Sequence, residues 1–280
     1  MGFCDIVTFS KFPRYEVPLG KRRFAWRRKL SIGLKWGRVV ALGASFALLI
    51  STAVAAESIS TPLPESRVPC AAFTPEADYI EQTLIMDLEG REIALRIPRV
   101  FLEDVWDLQP GFKDTAQLFR VEIGSFTPVS RPETGRRNKR RIWNWMDFLI
   151  TDWVPLDRIA VLSAESRSSV IGGNSARDLD SYAPAPGPFG LAEIRSDAPQ
   201  PTPSYRTNTY VFRSEDDTLS AVLSCNVPGP GSVMHPICLH WFRAAGMDVQ
   251  LTYRRTELPN WRALQDDVTA FAGCLTKTNP

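Results

Sequence analysis

The sequence predicts an α+β fold in which a meandering antiparallel β-sheet carries a C-terminal amphipathic helix and a disulfide-stapled hairpin. Three observations predict it. Apolar and polar residues alternate, as in strands with one buried face, through Thr209–Arg213, Leu219–Cys225, Ile237–Arg243 and Met247–Arg254. Apolar residues then recur every three or four positions, as on one face of a helix, at Trp261, Leu264, Val268, Phe271 and Leu275. Finally, Cys225 and Cys238 flank a loop rich in proline and glycine between the second and third of these segments.

Further alternation precedes this region. Thr83–Pro98 predicts two short strands joined by a tight turn at Glu89–Gly90. Ala116–Val129 predicts another strand, whereas Arg99–Asp107 fits either a helical turn or a loop. Ile159–Ala164 is a short apolar run, for which we predict a buried strand.

Turn and cap residues predict the connections. Ala244–Gly246 suits the turn between the last two strands, and Asn260 is a candidate N-cap for the C-terminal helix. Residues 175–203 contain six prolines, which predicts a long irregular connection. Within it, Gly187–Ser196 fits a brief strand or a turn.

Residues 1–56 have the parts of a basic leader with a secretory signal peptide. Basic residues precede an uncharged, mostly apolar stretch at Val39–Ile50, and small residues at Ala53–Ala55 suit cleavage before Ala56. A retained membrane anchor is the alternative, because the uncharged stretch is about 18 residues long, near the minimum for spanning a bilayer. Residues 1–20 exceed an ordinary signal peptide, which indicates an over-early start codon or a twin-arginine export route. We therefore expect residues 57–280 to form a periplasmic domain.

Removing the leader changes the charge of the protein. Residues 1–56 hold ten basic and two acidic residues, a net charge of +8, whereas the whole chain carries +2, so residues 57–280 carry −6. Nucleic-acid-binding domains are normally basic overall. The sequence therefore excludes nucleic acid as the expected partner, and it implies membrane contact only if the leader is retained as an anchor.

Four of the five cysteines follow the leader, and an even number in an exported protein predicts disulfides. Three pairings are possible. We predict Cys225–Cys238, because a crosslink between neighbouring strands across an irregular loop is the simplest geometry. Cys70 then pairs with Cys274 and ties the start of the exported domain to the C-terminal helix.

The sequence contains little that indicates a metal site or a catalytic site. Cys225, His235, Cys238 and His240 are a possible zinc ligand set, but Cys225 lacks a second cysteine at the short spacing typical of zinc sites. The chain contains no GxSxG, HExxH or SxxK motif, and neither histidine follows an obvious nucleophile. We expect no metal, no cofactor and no enzymatic activity.

A basic and aromatic segment stands apart from the strands, with Arg136, Arg137, Arg140, Arg141, Trp143 and Trp145. Such a segment can bind nucleic acid, an anionic lipid surface or an acidic protein. Alternatively, it is a solvated loop that leads into an amphipathic element and packs its tryptophans. An acidic protein is the functional option that the sequence favours.

Three segments resemble those of exported proteins encoded beside type VI secretion toxins: ALRIPRVFLED from Ala94, CNVPGPGSVMHPICLHWF from Cys225, and DVQLTYRRTELPNWRALQDDVTAFAGCL from Asp248. Phe101 stands where that family has tyrosine, and Leu264 where it has isoleucine. The resemblance implies a periplasmic immunity protein that binds and neutralises a cognate antibacterial effector.

The binding hypothesis places the interface on the basic and aromatic segment or on the loop from Pro228 to Pro236, which contains His235. Tryptophan and arginine dominate the energetics of protein interfaces, which favours the first of these. Two other classes of protein remain open: a periplasmic envelope or solute-binding protein, and a membrane-tethered domain with an uncleaved N-terminal helix.

Overall fold

The computed structural model describes residues 69–152, 155–165, 177–196, 206–229 and 235–276. The predicted leader, the tip of the loop between Cys225 and Cys238, and the two ends of the connection at 175–203 lie outside these residues. Within them, no helix has the length and apolar character needed to span a membrane.

A small sheet begins the described fold. Strands β1 (Tyr79–Met86) and β2 (Arg91–Pro98) pair antiparallel, and β3 (Phe112–Asp114) runs parallel to β1, which gives the order β2-β1-β3. The predicted pair of strands is thus confirmed, with Gly90 in the left-handed region at φ 64° in the connecting turn. Between β2 and β3, Arg99–Phe101 forms one 3-10 turn, one of the two options for that segment.

The second sheet has eight strands in the order β4-β5-β11-β10-β9-β8-β7-β6. Its strands are β4 (Ala116–Glu122), β5 (Trp145–Thr151), β6 (Ala185–Pro186), β7 (Ala192–Ile194), β8 (Thr207–Arg213), β9 (Leu219–Asn226), β10 (Ile237–Ala244) and β11 (Met247–Arg254). Its neighbouring strands pair antiparallel, so the predicted four-strand meander is confirmed as β8 to β11. The predicted turn between β10 and β11 is also confirmed, with Ala245 and Gly246 both at positive φ.

Three α-helices complete the described fold: α1 (Arg131–Lys139), α2 (Leu156–Ala164) and α3 (Trp261–Leu275). The prediction of a buried strand at Ile159–Ala164 is wrong, because these residues belong to α2. Helix α2 packs on β8 and β9 and buries six consecutive residues, so its sequence shows no polar face. A short apolar run without periodicity fits a buried helix as well as a strand.

The C-terminal helix α3 is confirmed as the amphipathic element that packs on the sheet. Trp261, Leu264, Val268, Phe271 and Leu275 are all buried. The prediction that the Asn260 side chain caps the N-terminus of α3 is wrong. A 3-10 turn at Arg255–Asn260 leads directly into α3, and the Asn260 side chain donates to Glu257 Oε2 at 3.3 Å instead of capping the helix.

Phe271 of α3 lies at the centre of an aromatic cluster that joins the two sheets. The ring centroids around it lie 4.9–5.5 Å away and belong to Phe73, Phe101, Phe119, Phe126 and Phe148. The same buried cluster contains Ile80 and Leu95 of the small sheet. The helix therefore forms a shared core for both sheets.

Part of the proline-rich connection joins the large sheet. Strands β6 and β7 pair antiparallel with each other, and β7 pairs with β8. Both strands are short, as expected where prolines remove backbone donors. The brief strand expected within Gly187–Ser196 is confirmed as β7.

Both predicted disulfides are present. Cys225 and Cys238 lie directly opposite each other in β9 and β10, with Cα atoms 4.0 Å apart. Cys70 and Cys274 have Cα atoms 6.1 Å apart and a sequence separation of 204. The second bridge ties the segment before β1 to the last turn of α3.

Replacing each disulfide pair with alanines should lower the free energy of unfolding by an amount that follows the size of the closed loop. The chain-entropy argument gives about 5 kcal/mol for Cys70–Cys274 and about 3 kcal/mol for Cys225–Cys238. Urea unfolding of the two double variants measures this. An unchanged stability after loss of Cys70–Cys274 would contradict the tether.

Candidate functional site

The predicted basic run lies on helix α1 and its C-terminal end, not in a loop. Ser130 caps the helix by accepting from the backbone N–H of Glu133 at 3.3 Å, and Pro132 occupies its first turn. No residue of α1 is buried. The helix therefore depends on its caps and ion pairs for stability, and it presents its basic residues to solvent.

Helix α1 ends in a Schellman motif with an arginine at the position that glycine usually occupies. The backbone N–H of Arg141 donates to the Asn138 carbonyl, and that of Ile142 donates to the Arg137 carbonyl, both at 3.0 Å. Arg141 has a φ of 59°. This conformation costs a residue with a Cβ about 1 kcal/mol relative to glycine.

Two of the predicted binding arginines are engaged within the protein. Arg137 donates to Glu133 at 3.0 Å, Glu122 at 2.8 Å and Asn144 at 2.9 Å. Arg136 pairs with Glu133 at 2.7 Å. Hydrogen bonds from Arg137 and Arg136 lower the pKa of Glu133 below its ordinary value. Arg137 thus fixes α1 to β4 and β5 and has few donors left for a partner.

The end of the helix presents cations of a different kind. Lys139, Arg140 and Arg141 are exposed and pair with no residue that the structure describes. Their charges are therefore available to a partner.

Close to these cations in the sequence, Trp143 contacts both the end of α1 and the loop before β10, two segments that lie far apart in the sequence. Its indole Nε1 donates to Asn138 Oδ1 at 2.8 Å, and its ring centroid lies 4.5 Å from that of His235. The guanidinium carbon of Arg254 lies 4.6 Å from the Trp143 ring centroid. Burial lowers the pKa of Arg254 below its ordinary value. The end of α1 and the loop before β10 thus meet in one surface.

We call this the basic-aromatic surface and define it by Lys139, Arg140, Arg141, Trp143, His235 and Arg254. Trp145 borders it, half-buried at the start of β5 and opposite Glu122 of β4. Guanidinium groups bind carboxylates through paired hydrogen bonds, and an aromatic ring beside them adds apolar contact area. The surface is suited to a partner with clustered Asp or Glu side chains.

Sequence reasoning missed Arg254 as a member of this surface. Arg254 is the last residue of β11, about 110 positions from Trp143, and only the pairing of β11 with β5 brings them together. No local pattern signals such a contact. Lys139 belongs to the basic run that the sequence shows plainly.

The segment carrying the first resemblance motif borders a different feature, an open groove of about 790 Å³ between Val100–Asp104 and the start of α1. Its charged residues are paired with one another, since Arg131 bonds to Asp104 at 2.7 Å and lies 3.5 Å from Glu103. Phe101 points into the core against Phe271. This motif is therefore explained by packing, and the groove offers less free charge than the basic-aromatic surface.

Cys225 and Cys238 form a disulfide with each other, so neither can supply the thiolate that a zinc site at this position would need. His235 is exposed, whereas His240 is fully buried. Among the residues that the structure describes, no three His, Cys, Asp or Glu side chains cluster in a way that suits a metal ion.

His240 lies in β10, as the sequence predicts, and is held neutral in the core. Its Nε2 lies 3.0 Å from Gln265 Oε1, and its Nδ1 lies 3.4 Å from the Tyr253 hydroxyl. The Gln265 amide donates to the Ser220 carbonyl at 3.5 Å, so its oxygen faces His240. His240 therefore donates from Nε2 and accepts at Nδ1. Burial lowers the pKa of His240 from 6.5 to about 3.

Acid should destabilise the protein through His240. Because its pKa falls on folding, the unfolded chain takes up a proton below pH 6.5 that the folded protein excludes down to about pH 3. The free energy of unfolding should fall by about 2 kcal/mol between pH 7 and pH 5 from this group. Urea unfolding of the wild type and of His240→Phe at several pH values measures the difference in slope, and equal slopes would contradict it.

No protein-family model matches the chain, and no curated protein matches it. The chain is similar to two solved structures. An immunity protein of the Stenotrophomonas maltophilia type IV secretion system is 20% identical, with a TM-score of 0.48 over 72% of this chain and 95% of that one. The iron-regulated outer membrane lipoprotein FrpD of Neisseria meningitidis is 10% identical, with a TM-score of 0.42 over 71% of this chain and 93% of that one.

Proposed function

We propose that this chain is an exported immunity protein, which binds a secreted antibacterial effector through the basic-aromatic surface and neutralises it without catalysis. The observation that carries the proposal is the set of cations next to Trp143, of which Lys139, Arg140 and Arg141 are exposed and have no side-chain partner among the described residues, and Arg141 has a strained backbone. The motif resemblance to proteins encoded beside type VI toxins supplies the class of partner.

The backbone strain at Arg141 supports a binding role for its side chain. Glycine at this position would relieve the strain of the left-handed conformation and would break no side-chain contact, because the Arg141 side chain pairs with no residue that the structure describes. Strained positions that persist in proteins cluster at functional sites. An arginine kept here at a cost in stability is best explained by what its guanidinium binds.

The chemistry of the surface supports a protein partner. Trp143 is held in place by Asn138, His235 and Arg254, so it loses little conformational freedom on binding. Tryptophan and arginine are the residues most enriched at interface hot spots. The domain has a net charge of −6, whereas this surface is positively charged. The positive charge of the surface therefore steers the acidic patch of a partner to this location.

The disulfides support export. Disulfides persist in oxidising compartments and are rare in the cytosol, and this protein has two of them. We propose that residues 1–56 are the leader and that residues 57–280 act in the periplasm. An effector delivered by a type VI system into that compartment is the partner that the motif resemblance implies.

Substitution of the two free arginines tests this function. The Arg140→Ala, Arg141→Gly double variant should bind the effector encoded beside this chain at least about 30-fold more weakly, since hot-spot residues contribute about 2 kcal/mol or more. The same variant should unfold at a higher urea concentration than the wild type, because glycine relieves the strain at position 141.

Arg262→Ala is the matched control. This exposed arginine stacks on Phe212, 4.1 Å from the ring centroid, and is not part of the basic-aromatic surface. It should leave the affinity for the effector unchanged. Calorimetric titration of purified effector measures all three proteins. Wild-type affinity in the double variant would remove this surface from the proposal.

A further inference from the structure

Strand β2 has eight residues, and its outer edge pairs with no strand in the part of the chain that the structure describes. In the small sheet β2 lies at the edge and pairs only with β1 among the described residues. Exposed strand edges are templates for pairing with another strand, and proteins usually shorten, bend or cover them. Strand β2 contains no bulge, and its only proline is the last residue.

The register shows which backbone groups of β2 are free. The Glu81 carbonyl accepts from Gly111 on the β3 side, so alternate residues of β1, including Gln82, face β2. Gln82 pairs with Leu95. The neighbours of Leu95 therefore direct their N–H and C=O groups away from β1, and the outward set consists of Glu92, Ala94 and Arg96. No described residue bonds to these outward groups.

The side chains of these three residues lie on the outer face of the small sheet. Glu92 and Ala94 are exposed, and Arg96 is half-buried. The alternate residues Leu95 and Ile97 point into the core. The buried face fixes the strand, so that the free edge is held in an extended conformation ready for pairing.

We propose that this edge pairs with the same edge of a second copy of the chain. When two β2 strands pair antiparallel about a two-fold axis at Ala94, Glu92 of each copy lies opposite Arg96 of the other. The pairing forms backbone hydrogen bonds at three residue pairs and two Glu–Arg contacts across the strands. The edge is self-complementary in charge, which is what a two-fold interface requires.

Ala94 makes the centre of this pairing sterically open. A small side chain at the axis lets the two outer faces continue as one six-stranded sheet. The ion pair of Glu92 with Lys113, at 2.8 Å, is exposed, and such a pair contributes little and is readily shared with a new neighbour. Arg96 is half-buried: it lies 3.5 Å from Glu81, and its guanidinium carbon lies 3.5 Å from the ring centroid of Tyr79.

The dimer leaves the basic-aromatic surface free. Arg91, at the start of β2, donates to the Gly246 carbonyl in the turn between β10 and β11. Trp143 and Arg254 lie at the opposite end of those strands. This inference therefore stands independently of the proposed function, and one dimer presents two binding surfaces.

Contact along a single strand buries less surface than a permanent dimer, so we expect a reversible, concentration-dependent association. Sedimentation equilibrium of the chain, expressed with its own leader and purified from the bacterial envelope, should show a monomer–dimer equilibrium. A monomer at every concentration reached would overturn the inference.

Three variants define the contact. Ala94→Pro removes the outward N–H at the axis and should give a folded monomer, because proline is tolerated on edge strands. Ala94→Thr keeps the N–H and should still dimerise. Glu92→Arg should be monomeric, since it places like charges opposite each other, whereas Glu92→Arg combined with Arg96→Glu should restore the dimer.

Different results from these variants would contradict the proposal. Dimerisation of Ala94→Pro would place the contact elsewhere, and a folded charge-swap variant that stays monomeric would exclude this register. If the wild type is a monomer, and Ala94→Pro is also a monomer but no longer binds the effector, then the β2 edge pairs with a strand of the effector and not with a second copy. Thermal unfolding of each variant confirms that it is folded.

Discussion

The register of β5, β11 and β10 is the constraint on which the rest of the structure depends. Leu251 of β11 lies opposite Phe148 of β5 on one side and His240 of β10 on the other, and all three are buried. A slip of one residue would move every one of these side chains to the other face of the sheet. The same register places Arg254, at the end of β11, beside Trp143, so that the packing of the core determines the geometry of the basic-aromatic surface.

Two further features fix this frame. Phe271 of α3 packs among aromatic rings from both sides of the core, which holds the small sheet on the large one. The disulfide between Cys225 and Cys238 crosslinks β9 to β10 close to His235 and limits the movement of the loop end that contacts Trp143. The surface is therefore prearranged by packing and covalent bonds, which reduces the entropy lost on binding.

The sequence predicted those parts of the fold that local pattern determines. Alternation identified β1, β2, β4 and β11, in which one face is buried, and it also identified β8 to β10, although these strands bury residues on both faces at their centres. The irregular loop between Cys225 and Cys238 predicted the disulfide between these two cysteines. Helix α2 was missed because burial on all sides removes periodicity. Helix α1 was missed for the opposite reason, since it buries nothing and only Ser130 and Pro132 mark its start.

Apart from Arg254, the residues of the candidate site were predictable from the sequence, but their arrangement was not. Basic and aromatic side chains are visible in the sequence. The helical geometry of α1 decides that Arg137 bonds within the protein, whereas Arg140 and Arg141 have no side-chain partner among the described residues. The contacts of Trp143 with His235 and Arg254 arise from strand pairing between distant segments. Tertiary register carries that information, and local sequence does not.

The proposed function requires that the cations of the basic-aromatic surface bind an acidic protein. The dependence of effector affinity on salt concentration tests it most directly, because screening weakens attraction between exposed charges. Calorimetric titration at low and at high ionic strength should show an affinity at least about tenfold lower at high salt, mainly through slower association. An affinity independent of salt would contradict the account.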